Sequence, residues 1–341
     1  MKILLTMPPT EGIAPSRPPL ALGYLAASLG SDDHEVIIRD YRLTSQMPVD
    51  EAAVAAAREE PDLVAIATET IQLDDCLELA RLLSQEHPET TVVLFGPHPT
   101  AKPLETLAHD GVDIVVTGET EQTMPELARR LERGESAAGV AGCVWKDNGE
   151  LRANPARPIL KNIDLLPIPD RDALQVADYP LKLHSGERMT NMITTRGHPQ
   201  EGVPYRPTGF AKKYRVRSPE QVVNELADLV EHRGYRAVLF EDPGFTFDQS
   251  RLRRILKLIE SRDLVVRWEC IGLVDVLAEE DYNRMARAGC AAIRFESLTA
   301  NTLAAEKIGY KISESQVRDA IRWCKNAGIR AKSWFITGLP C

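Results

Sequence analysis

Short hydrophobic runs alternate with amphipathic runs through the first part of the chain. Continuous apolar runs of about five residues are typical of buried parallel strands, and apolar residues three or four positions apart are typical of the helices that cover them. The predicted strands are Lys2–Met7, Glu35–Arg39, Leu63–Ala67, Thr91–Phe95 and Ile114–Thr117. The predicted helices are Pro19–Leu29, Val49–Arg58, Leu73–Gln85, Lys102–His109 and Gln122–Arg133. Five such units predict a doubly wound α/β domain, Rossmann-like or flavodoxin-like.

Ligands of a doubly wound sheet bind at the carboxyl ends of its strands. The loops that follow the predicted strands there read TMPPTEG, ATETIQ, FGPHPTA and TGETEQ. We therefore expect any ligand of this domain to lie against these loops.

A hairpin and a proline-rich passage follow the first domain. The segment WKDNGEL carries Asn148-Gly149, which is typical of a two-residue hairpin turn. The passage NPARPILKNIDLLPIPDRDAL comes next, and its proline spacing favours an extended strap over a surface. We predict a first domain over residues 1–140, a hairpin and linker over 141–188, and a second domain over 189–341.

The alternation resumes in the second domain with longer helices. Ser218, Pro219 and Gln221 predict a helix start with a capping box, and Ser313 with Gln316 predicts another, whose helix ends at Gly328. The pattern is typical of a β/α (TIM-like) barrel. Five strands precede the final GLPC, so we expect the barrel to be open or truncated after its fifth strand. These strands are Met192–Thr195, Ala237–Phe240, Val265–Cys270, Ala292–Phe295 and Ala331–Ile336.

Length and charge restrict the function. The chain has 341 residues, is 43% hydrophobic and has a formal net charge of -9. Its length suffices for two cores, and its negative charge argues against nucleic acid or an anionic membrane as partner. The short apolar start MKILLTMPP predicts neither a signal peptide nor a membrane span, hence a cytoplasmic protein. We expect a small-molecule substrate, and the oligomeric state stays open.

Two sets of residues with suggestive chemistry have ordinary explanations. The cysteines are scattered without close pairs, which favours reduced, buried thiols and gives no metal-ligand cluster in sequence. The basic run Lys212, Lys213, Arg215 and Arg217 alternates with apolar residues before a helix, which favours a solvated strand edge. The six cysteines are Cys76, Cys143, Cys270, Cys290, Cys324 and Cys341.

Ten segments, in their order and spacing, resemble one family. In the first domain they are PPLALGYLAASL, PDLVAIAT, FGPHPTA and GVDIVVTGETEQT. In the second they are TTRG, KYRVRSPEQVVNEL, VLFEDPGFTFD, RWECIGLVD, AGCAAIRFES and FITGLP. Over nearly its whole length the chain resembles the cobalamin-binding radical S-adenosylmethionine (SAM) proteins. The resemblance implies a cobalamin domain, a partial radical SAM barrel, the cofactors cobalamin, SAM and a [4Fe–4S] cluster, and radical-based methylation, cyclisation or rearrangement of an unactivated carbon.

The family's cluster motif is where the chain departs from this pattern. A TTRG-like lead is followed in the family by CxxxCxxC, whose thiolates hold a [4Fe–4S] cluster that binds SAM. Laid on Thr194–Gly197, the three positions are His198, Gly202 and Tyr205. Glycine has no side chain and a phenol is a poor substitute for a thiolate, although an imidazole binds iron or zinc. The sequence therefore predicts that the normal cluster site is missing.

The resemblance also implies contacts with SAM at two strand ends. Glu241 and Asp242 end the predicted second strand of the barrel, where the family places groups near SAM or the substrate. A solvated acidic turn that caps the next helix is an equal alternative. Glu296 and Ser297 end the fourth strand, in a contracted form of the family's GVESG segment.

For cobalamin, the resemblance implies contacts but no histidine ligand to cobalt. The DxHxxG pattern of many cobalamin folds corresponds here to DYRLTS, with Arg42 and Ser45 in place of histidine and glycine. The alternative for GPHPT is a rigid turn with an exposed His98. The implied contacts are Thr68, Thr70, Gly96, Pro97, His98, Pro99, Gly118 and Glu119.

Three hypotheses about the function follow from these residues. The first is a cobalamin-dependent radical SAM enzyme, whose mechanism has no electron source without the three thiolates. The second is a catalytically inactive module that binds cobalamin or SAM. The third is a truncated form of an active enzyme.

Overall fold

The structure is a computed structural model that describes residues 1–32, 34–44, 47–199, 213–298 and 312–335, without the side chains of 296–298. It divides into two compact units. The first comprises Met1–Leu160 and Leu165–Pro180, and the second comprises Lys161–Asp164 and the described residues from 181 onward.

The first unit is built on a mixed sheet. Five parallel strands have the order β2-β1-β3-β4-β5, with all neighbours in parallel register. This is the flavodoxin-like order, in which the direction of winding changes between β1 and β3. The prediction of a doubly wound domain is confirmed. The strands are β1 (Lys2–Met7), β2 (Glu35–Asp40), β3 (Leu63–Ala67), β4 (Thr91–Phe95) and β5 (Ile114–Val116).

Helices α1 and α6 pack against each other, and α2 packs against α3. The core beside α2 and α3 combines their alanines and leucines with strand residues such as Leu4, Val64 and Val92. The helices are α1 (Leu20–Gly30), α2 (Val49–Ala57), α3 (Leu73–Glu86), α4 (Pro97–Ala101), α5 (Pro103–Leu107) and α6 (Thr120–Glu132).

The predicted helix Lys102–His109 is wrong in its bounds. The segment forms α5, and α4, a helix that was not predicted, precedes it; the two are separated at Lys102, where φ is -134° and ψ is 57°. Pro103 lacks an N–H and disfavours a helical conformation at the residue before it, so one helix ends there and another begins.

The predicted hairpin is confirmed, but it belongs to the first sheet. Strands β6 (Cys143–Asp147) and β7 (Glu150–Ala153) flank Asn148 and Gly149, whose φ values are 50° and 83°. These values match the turn that Asn-Gly favours in hairpins. Because β6 pairs antiparallel with β5, the sheet continues past residue 140, where we placed the domain boundary.

The proline-rich passage runs over α1. The backbone N–H of Asp170 donates to the Gly23 carbonyl at 2.9 Å. A Cβ at Gly23 would lie 2.5 Å from Cδ1 of Leu174, so a larger residue there would force the Leu174 side chain to move. The expected extended strap over a surface agrees with this packing.

The second unit has a parallel sheet whose strands follow their sequence order, β8-β11-β12-β13-β14, within the described residues. Sequential parallel strands joined by helices are the arrangement of a β/α barrel. A separate antiparallel pair joins β9 (Thr195–Arg196) to β10 (Arg215–Val216). The sheet strands are β8 (Met189–Met192), β11 (Ala237–Phe240), β12 (Arg267–Gly272), β13 (Cys290–Leu298) and β14 (Arg330–Phe335).

The first barrel strand differs from its prediction. It begins at Met189 and ends at Met192, whereas we predicted Met192–Thr195. The chain leaves the sheet after Met192, and Thr195 pairs with Val216 of β10 instead. The β-type sequence continues across this break, which explains the error.

Successive helices of the second unit pack side by side, α7 on α8, α8 on α9 and α9 on α10. A π-helical segment, Asp228–His232, extends α7. Within the described residues, no helix combines the length and the apolar character needed to span a membrane. The helices are α7 (Pro219–Ala227), α8 (Gln249–Ser261), α9 (Glu279–Arg287) and α10 (Glu314–Asn326).

Of the two predicted capping boxes, one is complete. Ser313 and Gln316 bond each other reciprocally at the start of α10. At α7 the Ser218 hydroxyl accepts from the Gln221 N–H at 3.4 Å, but the Ser218 N–H donates to Asp164 at 2.9 Å. The carboxylate of Asp164 thus takes the place predicted for the Gln221 side chain.

Candidate functional site

The point where the first sheet changes winding direction carries a bridge between two loops. The Gln72 side chain, which is 2% exposed, donates from Nε2 to Thr10 Oγ1 at 3.1 Å. Thr10 follows β1 and Gln72 follows β3. The bridge therefore holds the two loops that flank the expected ligand crevice.

Backbone contacts join the loops after β3 and β4. Thr68 N–H donates to the Phe95 carbonyl at 2.7 Å, and His98 N–H donates to the Thr68 carbonyl at 3.3 Å. Gly96 has a φ of 118°, and a Cβ there would lie 2.8 Å from the Thr68 carbonyl oxygen. Only glycine fits this approach.

His98 lies in α4 between Pro97 and Pro99 and is 8% exposed. The alternative of an exposed His98 on a rigid turn is therefore wrong, because α4 begins at once after β4 and turns the ring inward. Its Nδ1 lies 3.2 Å from Thr70 Oγ1. Its Nε2 is buried without a hydrogen-bond partner among the described residues. A buried polar atom of this kind is destabilising unless a ligand or water completes it.

The loop after β5 joins the same edge. Gly118 N–H donates to Thr100 Oγ1 at 3.0 Å, and this hydroxyl donates to the Gly96 carbonyl at 2.7 Å. Glu119 directly precedes α6. All eight predicted cobalamin residues thus lie in the segments that directly follow β3, β4 and β5, at one edge of the sheet, and their contact with cobalamin stays a prediction.

Arg42, which replaces the histidine of DxHxxG, is held in an ion pair. Its Nε and Nη2 donate to Asp40 at 2.7 and 2.6 Å. Burial lowers the pKa of Arg42, but the hydrogen bond and charge of Asp40 outweigh burial and raise it. Tyr179 Oη also donates to Asp40 at 2.8 Å. Sequence reasoning missed Tyr179, because no motif marks it in the proline-rich passage.

In the second unit, Asp242 holds the loop that follows β8. Its carboxylate accepts the backbone N–H groups of Thr194 and Thr195 at 2.6 and 2.5 Å. It also accepts the two threonine hydroxyls, at 2.7 and 3.0 Å. Asp242 is fully buried, and burial raises its pKa, opposed by the Thr194 hydrogen bonds and the charge of Arg251.

Arg251 of α8 reaches the same loop from the other side. It donates to Thr194 Oγ1 at 2.8 Å, to the Thr194 carbonyl at 3.1 Å and to the Arg217 carbonyl at 2.9 Å. Burial lowers the pKa of Arg251, opposed by the charge of Asp242. The TTRG lead is thus organised by a buried carboxylate and a buried guanidinium.

The acidic-turn alternative for Asp242 is wrong. The next helix, α8, is capped by Asp248, which accepts the Arg251 N–H at 3.0 Å. Asp242 points inward to the threonines, so a contact with SAM would be indirect. Glu241 is half-buried and its N–H donates to the Met192 carbonyl at 2.9 Å. The contacts of both residues with SAM stay predictions.

The remaining predicted positions fall at the limits of the described chain. His198 is half-buried. Gly202 and Tyr205 lie outside the described residues, and Glu296 and Ser297 lie in β13 with undescribed side chains.

None of the chain's cysteines lies in the loop that carries the family's cluster motif. The sequence has no cysteine between Cys143 and Cys270. Cys270, Cys290 and Cys324 are free and buried, and burial raises the pKa of Cys324 to about 12. Across the part of the chain that the structure describes, no group of three or more His, Cys, Asp or Glu side chains could hold a metal ion. These residues do not fit the family's three-thiolate site.

A polar cluster that sequence reasoning missed lies across the barrel sheet. Lys332 Nζ of β14 donates to the two carboxylate oxygens of Glu269 of β12 at 2.8 and 2.7 Å. Glu269 is 3% exposed, and His184 Nδ1 lies 3.8 Å from its Oε1. A charged residue in the interior of a largely apolar strand, Glu269 in RWECIG, was the sequence signal that could have indicated this cluster.

Family models match both units of the chain. The B12 binding domain matches residues 13–128, and the radical SAM superfamily matches residues 197–340.

Two curated proteins illustrate the range of relatives. An uncharacterized methyltransferase of Pyrococcus horikoshii is 32% identical over 347 residues, covering 100% of this chain and 74% of the relative. The anaerobic magnesium-protoporphyrin IX monomethyl ester cyclase of Rubrivivax gelatinosus is 25% identical, covering 96% of this chain and 60% of the cyclase.

Solved structures share the fold over almost the whole chain. The radical SAM methyltransferase TsrM of Kitasatospora setae, solved with cobalamin and a [4Fe–4S] cluster, has a TM-score of 0.79 at 18% identity, covering 99% of this chain and 70% of TsrM. The cobalamin-dependent radical SAM enzyme OxsB, solved with aqua-cobalamin and SAM, has a TM-score of 0.81 at 17% identity, covering 98% of this chain and 49% of OxsB.

The chain belongs to the radical SAM superfamily, in the group whose members also have a B12-binding domain. It spans 60% of the length of the cyclase and about half the length of OxsB.

Proposed function

We propose that this chain binds cobalamin at the carboxyl edge of its first sheet and holds no [4Fe–4S] cluster by the family's three thiolates. The observation that carries the proposal is the stretch between Cys143 and Cys270, which contains the cluster loop and has no cysteine. The chain would then act as a cofactor-binding module, not as a source of SAM-derived radicals.

The first sheet suits cobalamin in two ways. Its loops leave the buried Nε2 of His98 without a partner among the described residues, as expected where a ligand completes the hydrogen bonding. Gly118 has a φ of 75° and no atom within 4 Å of where a Cβ would lie, so a large flat ligand can approach the backbone there. Bound cobalamin would supply a cobalt centre able to carry a methyl group. Arg42, held by Asp40, offers no imidazole to that metal.

The loop after β8 retains the residues that organise its TTRG lead, although it lacks the three cysteines of the cluster motif. Asp242 and Arg251 organise the TTRG lead. His198, Gly202 and Tyr205 provide at most one imidazole and one phenol, and low-potential iron–sulfur clusters are held by thiolates. We propose that Glu241, Glu296 and Ser297 face SAM or a small-molecule substrate, and that the protein works in the cytoplasm.

Anaerobic reconstitution with iron and sulfide, with hydroxocobalamin added in parallel, tests the proposal. We expect about one cobalamin per chain and iron well below the four per chain of a [4Fe–4S] site. The matched control is the triple variant His198→Cys, Gly202→Cys and Tyr205→Cys. It restores the motif on the same scaffold, so it should gain iron, sulfide and cluster absorbance.

About four irons in the unsubstituted chain would overturn the absence of a cluster. Loss of cobalamin binding in a well-folded sample would overturn the first half of the proposal. If the triple variant gained no iron, the missing cysteines would not explain the absence of a cluster.

A second candidate is a radical enzyme that methylates or cyclises a small molecule. The whole-chain match to a methyltransferase and the match to a cyclase favour it. It requires an unforeseen cluster ligand set. The same iron measurement on the unsubstituted chain separates the two candidates, because only the enzyme needs a full cluster.

A further inference from the structure

Three cationic side chains line one cavity of the second unit. The cavity has a volume of about 430 Å³ and lies where β12 and β14 begin, beside the end of α10. Arg267 comes from the start of β12, Arg330 from the start of β14 and Lys325 from the last turn of α10. Ala291 of β13 lies between the two arginines on the wall.

Several arginines of the second unit are held in ion pairs, unlike the three cations of this cavity. Within the described residues, Arg267, Lys325 and Arg330 make no ion pair with an acidic side chain. By contrast, Arg253 pairs with Asp281, and Arg318 pairs with Glu314. Like charges gathered without counter-ions repel one another, and an anion in the cavity would relieve that repulsion.

Two acidic side chains, Glu187 and Glu269, interact with residues that line the cavity. Hydrogen bonds from Ser185 and from its own backbone lower the pKa of Glu187. The positive charges of Arg267 and His184 lower this pKa further, but more weakly. Glu269 is bound by Lys332, and His184 faces its Oε1 at 3.8 Å. Among the residues that the structure describes, no acidic side chain lines the cavity itself. The wall therefore stays cationic.

We propose that this cavity binds a small phosphate-bearing anion. Guanidinium groups donate two parallel hydrogen bonds to phosphate oxygens, and a lysine adds a compact positive charge. Two arginines from separate strands with a lysine from a helix can surround a phosphate or diphosphate group from three sides. The site lies at the amino ends of the strands, whereas the loops proposed for SAM lie at the carboxyl ends. It is therefore a separate site, independent of the proposed cobalamin binding.

Isothermal titration of the full chain with inorganic phosphate and inorganic diphosphate, at low ionic strength, tests this site. We expect saturable binding of about one anion per chain that weakens as salt is added. Arg267→Gln and Arg330→Gln should each weaken binding about tenfold. Arg287→Gln is the matched control: it removes an exposed arginine of the same unit that is outside the cavity lining, so it should leave binding unchanged.

Tighter binding of diphosphate would assign the site to a diphosphate-bearing ligand, and equal binding would assign it to a single phosphate. The proposal fails if neither anion binds saturably, or if all three variants weaken binding equally, since that pattern reports net charge alone. Because the three arginines are exposed, unchanged thermal unfolding of the variants would show that any loss belongs to the site. Cobalamin binding should be the same in all of them.

Discussion

The carboxylate of Asp242 accepts both the backbone N–H of Thr194, at 2.6 Å, and its hydroxyl, at 2.7 Å. One side chain at the end of β11 thus fixes the loop that leaves β8. In a fully buried position, an acceptor-only carboxylate suits four donors, whereas an amide would turn an NH₂ group towards some of them. The start of this loop is therefore organised by hydrogen bonds to a protein side chain.

Asp242→Asn should destabilise the chain by about 3 kcal/mol or more, because it leaves buried donors unpaired and Arg251 without its counter-charge. Urea unfolding measures the loss, and hydrogen exchange of the peptide around Thr194 should rise. Asp248→Asn is the matched control, since asparagine caps a helix as well as aspartate and should change stability by only about 0.5 kcal/mol. Equal losses in both variants would contradict a special role for Asp242.

Gly96→Ala should cost about 3 kcal/mol or more. The backbone has a φ of 118°, and the new Cβ would lie 2.8 Å from the Thr68 carbonyl oxygen. Gly149→Ala is the control, because it has a φ of 83° with no atom near the new Cβ, and strain alone costs about 1 kcal/mol. Thermal unfolding compares the two. A mild loss at Gly96 would mean that the loops after β3 and β4 can separate.

His98→Phe should weaken hydroxocobalamin binding about tenfold while leaving the fold intact. The substitution keeps an aromatic ring of similar size but removes Nε2, the buried atom that we expect to bond the cofactor. His109→Phe, at an exposed position of the same unit, should bind as the unsubstituted chain does. Spectroscopic titration measures both affinities. Unchanged binding by His98→Phe would remove His98 from the cobalamin site.

Much of the fold could be predicted from the sequence because its strands are buried on both faces. Leu63–Ala67 and Thr91–Phe95 are continuous apolar runs, and their observed bounds match the predicted ones. The prediction failed where the pairing of strands depends on residues that are distant in the sequence. The Asn148-Gly149 turn indicates a hairpin but not its neighbour, so the pairing of β6 with β5 was missed.

For the candidate site, the sequence predicted which residues lie at strand ends but not which way their side chains point. Pattern placed Glu241 and Asp242 after a strand, but adjacent residues at a strand end point to different sides. Only the fold shows that Asp242 faces Thr194 inside. Tyr179 and Asp40 are far apart in sequence, and no local rule joins them.

Acid should weaken the link between α8 and α9. Arg253 donates to both oxygens of the buried Asp281 at 2.8 and 3.0 Å, and these hydrogen bonds hold the pKa of Asp281 below its usual range. A carboxyl whose pKa is lower when folded stabilises the protein above its unfolded pKa, about 3.9, and loses that contribution as pH falls through the folded value.

Arg253→Gln should therefore lower the free energy of unfolding at neutral pH, and this deficit should disappear as the pH falls through the lowered pKa of Asp281. Urea unfolding across this pH range measures the difference. Arg318→Gln removes an arginine from a fully exposed pair and should change little at any pH. A deficit for Arg253→Gln that persists in acid would show that packing, not the ion pair, is lost.

The buried thiols should resist alkylation, which bears on whether any could serve as a cluster ligand. Burial raises the pKa of Cys76, Cys143 and Cys324 to about 12, so at pH 8 only about one in ten thousand is thiolate. Iodoacetamide followed by peptide mass spectrometry should label them quickly only after unfolding, with each urea-denatured cysteine as its own control. Rapid native labelling of Cys143 or Cys324 would show that the thiol opens to solvent, and would make it a candidate ligand in place of the missing cluster cysteines.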